Sequence, residues 1–184
     1  PQFAVDSGLL RHSVFLLMWC PAVAAIATRL YFQRNLDGFG FTIGSLRWWL
    51  LAALIPIAYG LVMFGTGWIT GIAPFLPEKA AAMLALPALE AVLIAICLNI
   101  VSATGEELGW RGLLVPELGR FADFTQLALI SAVIWFCWHV PVMITGGVQG
   151  SGGLVYSMVV FFLAMIGGST LFAWIRLRSG SIWP

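Results

Sequence analysis

The chain has 184 residues, of which 61% are hydrophobic and only 9% are charged, and its formal net charge is +1. This composition, with a mean hydropathy of +0.98, is well above the apolar share of soluble domains and excludes that class. The nine basic residues are scattered rather than gathered into a patch, which excludes a nucleic-acid partner. The sequence therefore predicts an integral membrane protein whose surroundings are the lipid bilayer.

Five apolar runs reach or approach the roughly 20 residues that an α-helix needs to cross a hydrocarbon core of about 30 Å. They cover residues 12–32, 47–66, 81–103, 125–144 and 153–175. The period-two alternation that is typical of membrane barrels is not visible. We expect an all-α fold, a polytopic transmembrane helical bundle with about five spans, and one domain over residues 1–184.

The segments between the spans contain turn-forming residues. We predict loops at FLPEK (75–79) and ITGGVQGSGG (144–153), and a turn at GRFADF (119–124). Basic residues concentrate at the first and third connections and after the fifth span, so the positive-inside rule predicts an external N-terminus and an internal chain end. Pro1 is not an initiator residue, and we expect the chain to be a fragment cut at both ends.

The stretch SATGEELGWRG (102–112) carries two adjacent carboxylates and an arginine in a chain that otherwise avoids charge. Glu107 and Arg111 are four residues apart, so on a helix they share a face and can pair. Glu106 points about 100° away and continues a polar stripe through Asn99 and Ser102. An ionisable side chain that faces lipid costs on the order of 3 kcal/mol, so we expect this stripe to face protein or a water-filled cavity. Because Arg111 favours ionised Glu107, Glu106 is the better candidate general base.

His139, in VIWFCWHVP, is the candidate second ionisable group of the same site. The midpoint between residues 106 and 139 falls in the predicted turn, so two antiparallel helices would bring Glu106, Glu107 and His139 to one depth. Ser131 and Trp135 precede His139 at intervals of four residues and share its helical face. We expect the charged stretch and His139 to converge on one polar cavity.

These residues resemble two motifs of the CAAX protease and bacteriocin-processing family, also called the Abi family of intramembrane glutamic endopeptidases. The family's first motif, E-E-x-x-x-R, is matched by Glu106, Glu107 and Arg111. Its second motif, F-x-x-x-H, is matched by Trp135 and His139, with tryptophan in place of phenylalanine. The region of resemblance is about 81–184.

The resemblance implies a membrane-embedded endopeptidase, in a prokaryotic cell membrane, that cleaves a prenylated CAAX-type protein or a bacteriocin-like peptide. It implies that Glu106 activates water and that His139 holds this water, so the implied catalytic set is Glu106, Glu107, Arg111 and His139. The family's third motif, H-x-x-x-N or H-x-x-x-D, stabilises the oxyanion and would follow RSGSIWP. We therefore expect this chain to be truncated before the third motif and to be inactive alone.

Three other functions remain open. A zinc hydrolase would use Glu106, Glu107 and His139 as ligands, but the H-E-x-x-H arrangement is absent, and we expect no cofactor. A proton or ion relay would use the same residues together with ionisable groups in other spans, which the first, second and fifth spans do not offer in mid-run. A non-catalytic bacteriocin self-immunity protein or membrane scaffold protein is the third alternative.

Overall fold

The computed structural model describes residues 7–83, 85–145 and 152–184, and the side chains of residues 7–14, 79, 80 and 83 fall outside the description. Every regular element in these ranges is a helix. The elements are α1 (Ser7–Phe32), α2 (Leu46–Ile69), α3 (Pro77–Met83), α4 (Leu86–Glu107), a π-helix (Leu108–Leu114), α5 (Val115–Leu118), α6 (Phe124–Ile144) and α7 (Gly153–Ser179). The predicted all-α class is confirmed.

Five helical segments among the described residues are long and apolar enough to cross a membrane. They are Phe15–Phe32, Leu46–Ile69, Leu86–Leu118, Phe124–Ile144 and Gly153–Ser179. This agrees with the five predicted spans, and the protein is an integral, multi-pass membrane protein.

The third span is longer than the sequence analysis predicted. We placed its end at residue 103, but the helical run continues without a break through α4, the π-helix and α5 to Leu118. Its 33 residues correspond to about 50 Å at 1.5 Å per residue, against a hydrocarbon core of about 30 Å. Because Glu107 and Arg111 pair along the helix, their charges do not end it, and the charged stretch lies inside the span.

The predicted turn at GRFADF is present, since α5 ends at Leu118 and α6 begins at Phe124. Asp123 caps α6: its carboxylate accepts a hydrogen bond from the Gln126 amide at 2.9 Å, and the Gln126 side chain accepts one from the Asp123 amide at 3.2 Å. This reciprocal capping box explains where α6 starts.

The predicted loop at FLPEK is wrong in its second half, because α3 begins at Pro77. Proline is well suited to the first position of a helix, and Glu78 in the first turn favours the helix dipole. The predicted loop ITGGVQGSGG lies largely outside the described residues, which omit 146–151.

Two glycines allow α1 to lie directly against the charged stretch. A β-carbon added to Gly105 would lie 2.6 Å from the Met18 carbonyl oxygen, and one added to Gly109 would lie 2.3 Å from Cβ of Pro21. Gly105 and Gly109 form a G-x-x-x-G pair, which permits two membrane helices to approach closely. The backbone that carries Glu106 and Glu107 is therefore held against the proline-containing part of α1.

The arginine-bearing connections meet at one end of the bundle, which we call the arginine-rich end: the 33–45 connection, the 119–123 turn and the C-terminal part of α7. Arg29 lies 2.7 Å from Glu117, and Arg120 lies 2.9 Å from the other oxygen of the same carboxylate. Arg176 of α7 donates a hydrogen bond of 2.6 Å to the Gly38 carbonyl. These contacts place the basic segments at one end of the bundle, and the cytoplasmic location of that end stays a prediction of the positive-inside rule.

Candidate active site

The charged stretch lies at a change of helix type. Glu107 is the last residue of α4, and the following residues, Leu108–Leu114, form a π-helix. The Val115 amide bonds to the Trp110 carbonyl, five residues earlier. Short π-helical segments occur frequently at functional sites because the extra residue per turn redirects neighbouring side chains.

Arg111 is almost fully buried, with 2% of its surface exposed. Its Nη1 atom lies 3.0 Å from Oε1 of Glu107, so the predicted i, i+4 ion pair is present. The pair does not have hydrogen-bond geometry, however, and neither Nη1 nor Nη2 has a hydrogen-bond partner within the described parts of the chain. The guanidinium instead faces two rings, with Cζ 4.3 Å from the Trp135 centroid and 4.6 Å from the Phe172 centroid. Its terminal nitrogens therefore keep donors that a substrate or water can use.

Glu106 is also buried, with 7% of its surface exposed. Its Oε2 atom accepts a hydrogen bond of 3.0 Å from Nε1 of Trp135. Within residues 7–83, 85–145 and 152–184, this is its only side-chain hydrogen bond. A carboxylate can accept about four hydrogen bonds, so most of its acceptor capacity remains unused.

His139 lies one turn beyond Trp135 on α6. Its Nδ1 atom is 2.8 Å from the Trp135 carbonyl oxygen. A carbonyl oxygen only accepts hydrogen bonds, so this contact requires the proton on Nδ1 and leaves the Nε2 lone pair of the neutral ring free. The imidazole also contacts the rings of Trp135 and Phe161, at centroid distances of 6.0 and 5.0 Å.

Trp135 connects the predicted site residues. It donates to Glu106, lies under the guanidinium of Arg111 and contacts His139, while Glu107 joins through its ion pair with Arg111. The structure thus brings all four predicted residues into one connected group, which we call the Trp135 cluster. The sequence places Trp135 on the helical face of His139 and in a motif, but it does not predict the contact with Glu106. The indole N–H makes this contact, and phenylalanine cannot.

The predicted polar stripe on α4 is only partly correct. Ser102 is half-buried and its hydroxyl contacts the sulfur of Met18 at 2.8 Å. Asn99 is exposed, and its amide bonds to the Ala95 carbonyl on its own helix. A local bond to a carbonyl four residues earlier satisfies the donor, so Asn99 does not need to face the site.

A cofactor or ligand could be held by a cluster of metal-ligating side chains or in a cavity. No group of three or more His, Cys, Asp or Glu side chains in the described ranges is close enough to hold a metal ion together. A cavity of about 630 Å³ lies between Pro21, Gly109, Trp110 and Trp138, and none of the four predicted site residues lines it. Glu107 lines a smaller cavity of about 160 Å³ with Trp183.

The fold and the cluster define a class: a multi-pass membrane protein with a buried carboxylate and a buried arginine beside a half-buried histidine within its helical bundle. The family profile described as type II CAAX prenyl endopeptidase Rce1-like matches residues 88–184, just over half of the chain. The chain belongs to this family, as the motif resemblance predicted. The family is one of membrane endopeptidases, which act on peptide or protein substrates at the membrane. No curated protein and no solved structure matches the chain significantly.

Proposed function

We propose that the protein hydrolyses peptide bonds with a water molecule that Glu106 activates. The observation that carries this proposal is the environment of Glu106, a buried carboxylate that has, among the described residues, one neutral hydrogen-bond donor and no bonded cation. In a membrane interior, a carboxylate with a purely structural role would be expected to have hydrogen-bond donors for all of its acceptor positions. Glu107, by contrast, has Arg111 as a partner.

The contacts support a division of roles. Trp135 holds one oxygen of Glu106 and leaves the other free to take a proton from water. Hydroxide then attacks the carbonyl carbon of the substrate, the C–N bond breaks, and Glu106 returns the proton to the leaving amine. The Nε2 lone pair of His139 can accept the second hydrogen of the water, which would orient it for attack.

Arg111 is suited to stabilise negative charge on the substrate. Its buried terminal nitrogens are unpartnered donors among the described residues, and donors of this kind stabilise an oxyanion most strongly where water is excluded. The two rings beside its guanidinium hold its plane, while Glu107 balances its charge. The four residues thus have distinct roles, and none of them requires a metal.

The position of the cluster favours substrates that approach from the arginine-rich end. Glu106 lies 12 residues, or about 18 Å along a helix, from Leu118, the end of the third span. The positive-inside rule places that end in the cytoplasm. We propose a protein or peptide substrate of CAAX type or a bacteriocin-like peptide, presented at this face.

The test is to assay the purified full-length protein in detergent or liposomes against fluorogenic peptides that end in a CAAX sequence, with and without a prenyl group. Glu106→Gln should lower kcat by about a hundredfold to ten-thousandfold, the range of general-base catalysis, because the amide keeps the shape but cannot take a proton. Glu90→Gln is the matched control, since Glu90 is an exposed carboxylate on the same helix, and it should retain turnover.

Three results would contradict the proposal. Full turnover in Glu106→Gln would remove the glutamate from the mechanism, and loss of turnover on chelation would favour a zinc hydrolase. If neither peptide type is cleaved by the wild-type protein, the self-immunity or scaffold alternative becomes the better account.

A further inference from the structure

Arg176 is a buried cation that pairs with no carboxylate in the described parts of the chain. It lies in the last turn of α7 with 7% of its surface exposed. None of the ion pairs among the described residues includes it. Instead it donates from Nε to the carbonyl oxygen of Arg111 at 2.8 Å and from Nη2 to the carbonyl oxygen of Gly38 at 2.6 Å. Burying a charge costs free energy unless the group is hydrogen-bonded, and both bonds of Arg176 go to main-chain carbonyls. The reason for its burial therefore lies in the hydrogen-bond donors that these carbonyls lack.

The helical ladder cannot satisfy the Arg111 carbonyl. In an α-helix its donor would be the amide of Val115, but that amide is bonded to Trp110. In a π-helix its donor would be the amide five residues on, which is that of Pro116, and proline has no N–H. The π-helix followed by proline therefore removes both donors that a regular α- or π-helix would offer this carbonyl, and Arg176 supplies a charged one.

α7 contacts both the side chain and the main chain of Arg111. Phe172 and Arg176 are four residues apart and so share a face of α7. The ring of Phe172 lies 4.6 Å from Cζ of Arg111, while Arg176 binds the Arg111 main chain. One helix, α7, thus positions both the backbone and the guanidinium of Arg111.

The 33–45 connection completes the surroundings of Arg176. Gly40 has a φ of +85°, and a β-carbon on it would lie 2.7 Å from Cζ of Arg176. The Gly40 carbonyl accepts a hydrogen bond of 3.0 Å from the Ile182 amide. The guanidinium is therefore enclosed between α7, the connection and the π-helix, with little freedom to move.

We propose that Arg176 is a positioning residue for the peptidase site: by binding the Arg111 carbonyl that Pro116 leaves unpaired, it holds the π-helix so that the Arg111 guanidinium stays between Trp135, Phe172 and Glu107. This inference rests on the proposed function for its catalytic consequence. Its structural part, the bond between α7 and the π-helix, does not depend on the substrate.

The experiment compares Arg176→Met with Arg178→Met in the full-length protein. Arg178 is an exposed arginine two residues further along α7, so it controls for loss of charge and for membrane insertion. We measure kcat and KM for the peptide substrate, and hydrogen–deuterium exchange of the amides in residues 105–118 without substrate. Arg176→Met should lower kcat by about ten- to a hundredfold, the scale of a misplaced catalytic group, with KM changed by less than about threefold. The same variant should exchange faster in residues 105–118, and Arg178→Met should change neither quantity.

Pro116→Ala separates this role from general packing. Alanine restores an amide five residues after Arg111, so in the Arg176→Met background it should recover at least about fivefold of the lost kcat and slow the exchange. Arg176→Lys, which keeps the charge but cannot reach both carbonyls with a planar fork, should lie between wild type and Arg176→Met. It also serves as the working variant if Arg176→Met does not fold.

Wild-type kcat and exchange in Arg176→Met and Arg176→Lys would overturn the inference and leave the proposed function intact, provided that Glu106→Gln is inactive. A loss of kcat that Pro116→Ala does not relieve would also overturn it, because the unpaired carbonyl would then not be the cause. If the wild-type protein cleaves no peptide, the proposed function fails, and the exchange data alone decide whether Arg176 holds the π-helix.

Discussion

Replacing Trp135 with phenylalanine, the residue of the family motif, removes one N–H and keeps most of the ring. The hydrogen bond to Glu106 is 3.0 Å long and partly buried, and a hydrogen bond to a charged group contributes about 1.5–3 kcal/mol. We expect Trp135→Phe to lower the free energy of unfolding by about this amount. Because Glu106 then loses its anchor, kcat should fall by roughly tenfold, which corresponds to about 1.4 kcal/mol, while KM changes little.

Comparison with Trp135→Ala distinguishes the contribution of the indole ring from that of its N–H. The ring contacts the Arg111 guanidinium at 4.3 Å and the rings of His139 and Phe172 at 6.0 Å each. Truncating a packed tryptophan costs about 3–5 kcal/mol, so the alanine variant should be less stable than the phenylalanine variant and should have almost no activity.

The assay is peptide turnover together with thermal unfolding in one detergent for wild type, Trp135→Phe and Trp135→Ala. The reasoning about the N–H is refuted if Trp135→Phe matches wild type in both kcat and stability. If the alanine variant is no worse than the phenylalanine variant, the ring is not the connecting element of the cluster.

Two further predictions concern Arg111 in the cluster and Gly109 beside it. Arg111→Lys should lower kcat/KM by about thirtyfold, the equivalent of roughly 2 kcal/mol for a desolvated cation–π contact. The reason is that an ammonium is not a planar group that two rings can hold. Wild-type kcat/KM in this variant would contradict the role given to the guanidinium. Gly109→Ala should destabilise the protein by about 1–3 kcal/mol in thermal unfolding, as overpacking does, because its β-carbon would overlap α1. A β-carbon added at Gly65 would meet no described atom within 4 Å outside its own stretch of helix, so Gly65→Ala should be neutral or stabilising. Equal effects of the two changes would argue against close contact at Gly109.

The features that the sequence predicted correctly are those that depend on neighbouring residues. The five spans follow from the lengths of apolar runs, and the turn before α6 follows from residues that favour turns and from the Asp123 cap. Glu106 and His139 both contact Trp135, which agrees with their equal distances to that turn, since two antiparallel helices with a constant rise bring equidistant residues to one depth.

The errors have local causes as well. The turn-forming proline of FLPEK indicates a loop, whereas Pro77 starts a helix. Asn99 was assigned to the polar stripe because of its spacing, but a side-chain bond to its own helix satisfies its amide. In both cases one residue type has two common roles, and spacing alone does not distinguish them.

The sequence by itself therefore determined the class of protein and the number of spans, and it named the candidate site residues, because hydropathy and motif spacing are properties of the chain. Only the tertiary structure decided how those residues are held. The helix changes from α to π at Leu108, the indole of Trp135 meets Glu106, and Arg176 binds a carbonyl 65 positions earlier in the chain. The physical reason is that each of these features supplies a hydrogen-bond partner from a distant element to a buried group, and the identity of that partner depends on which helices pack together.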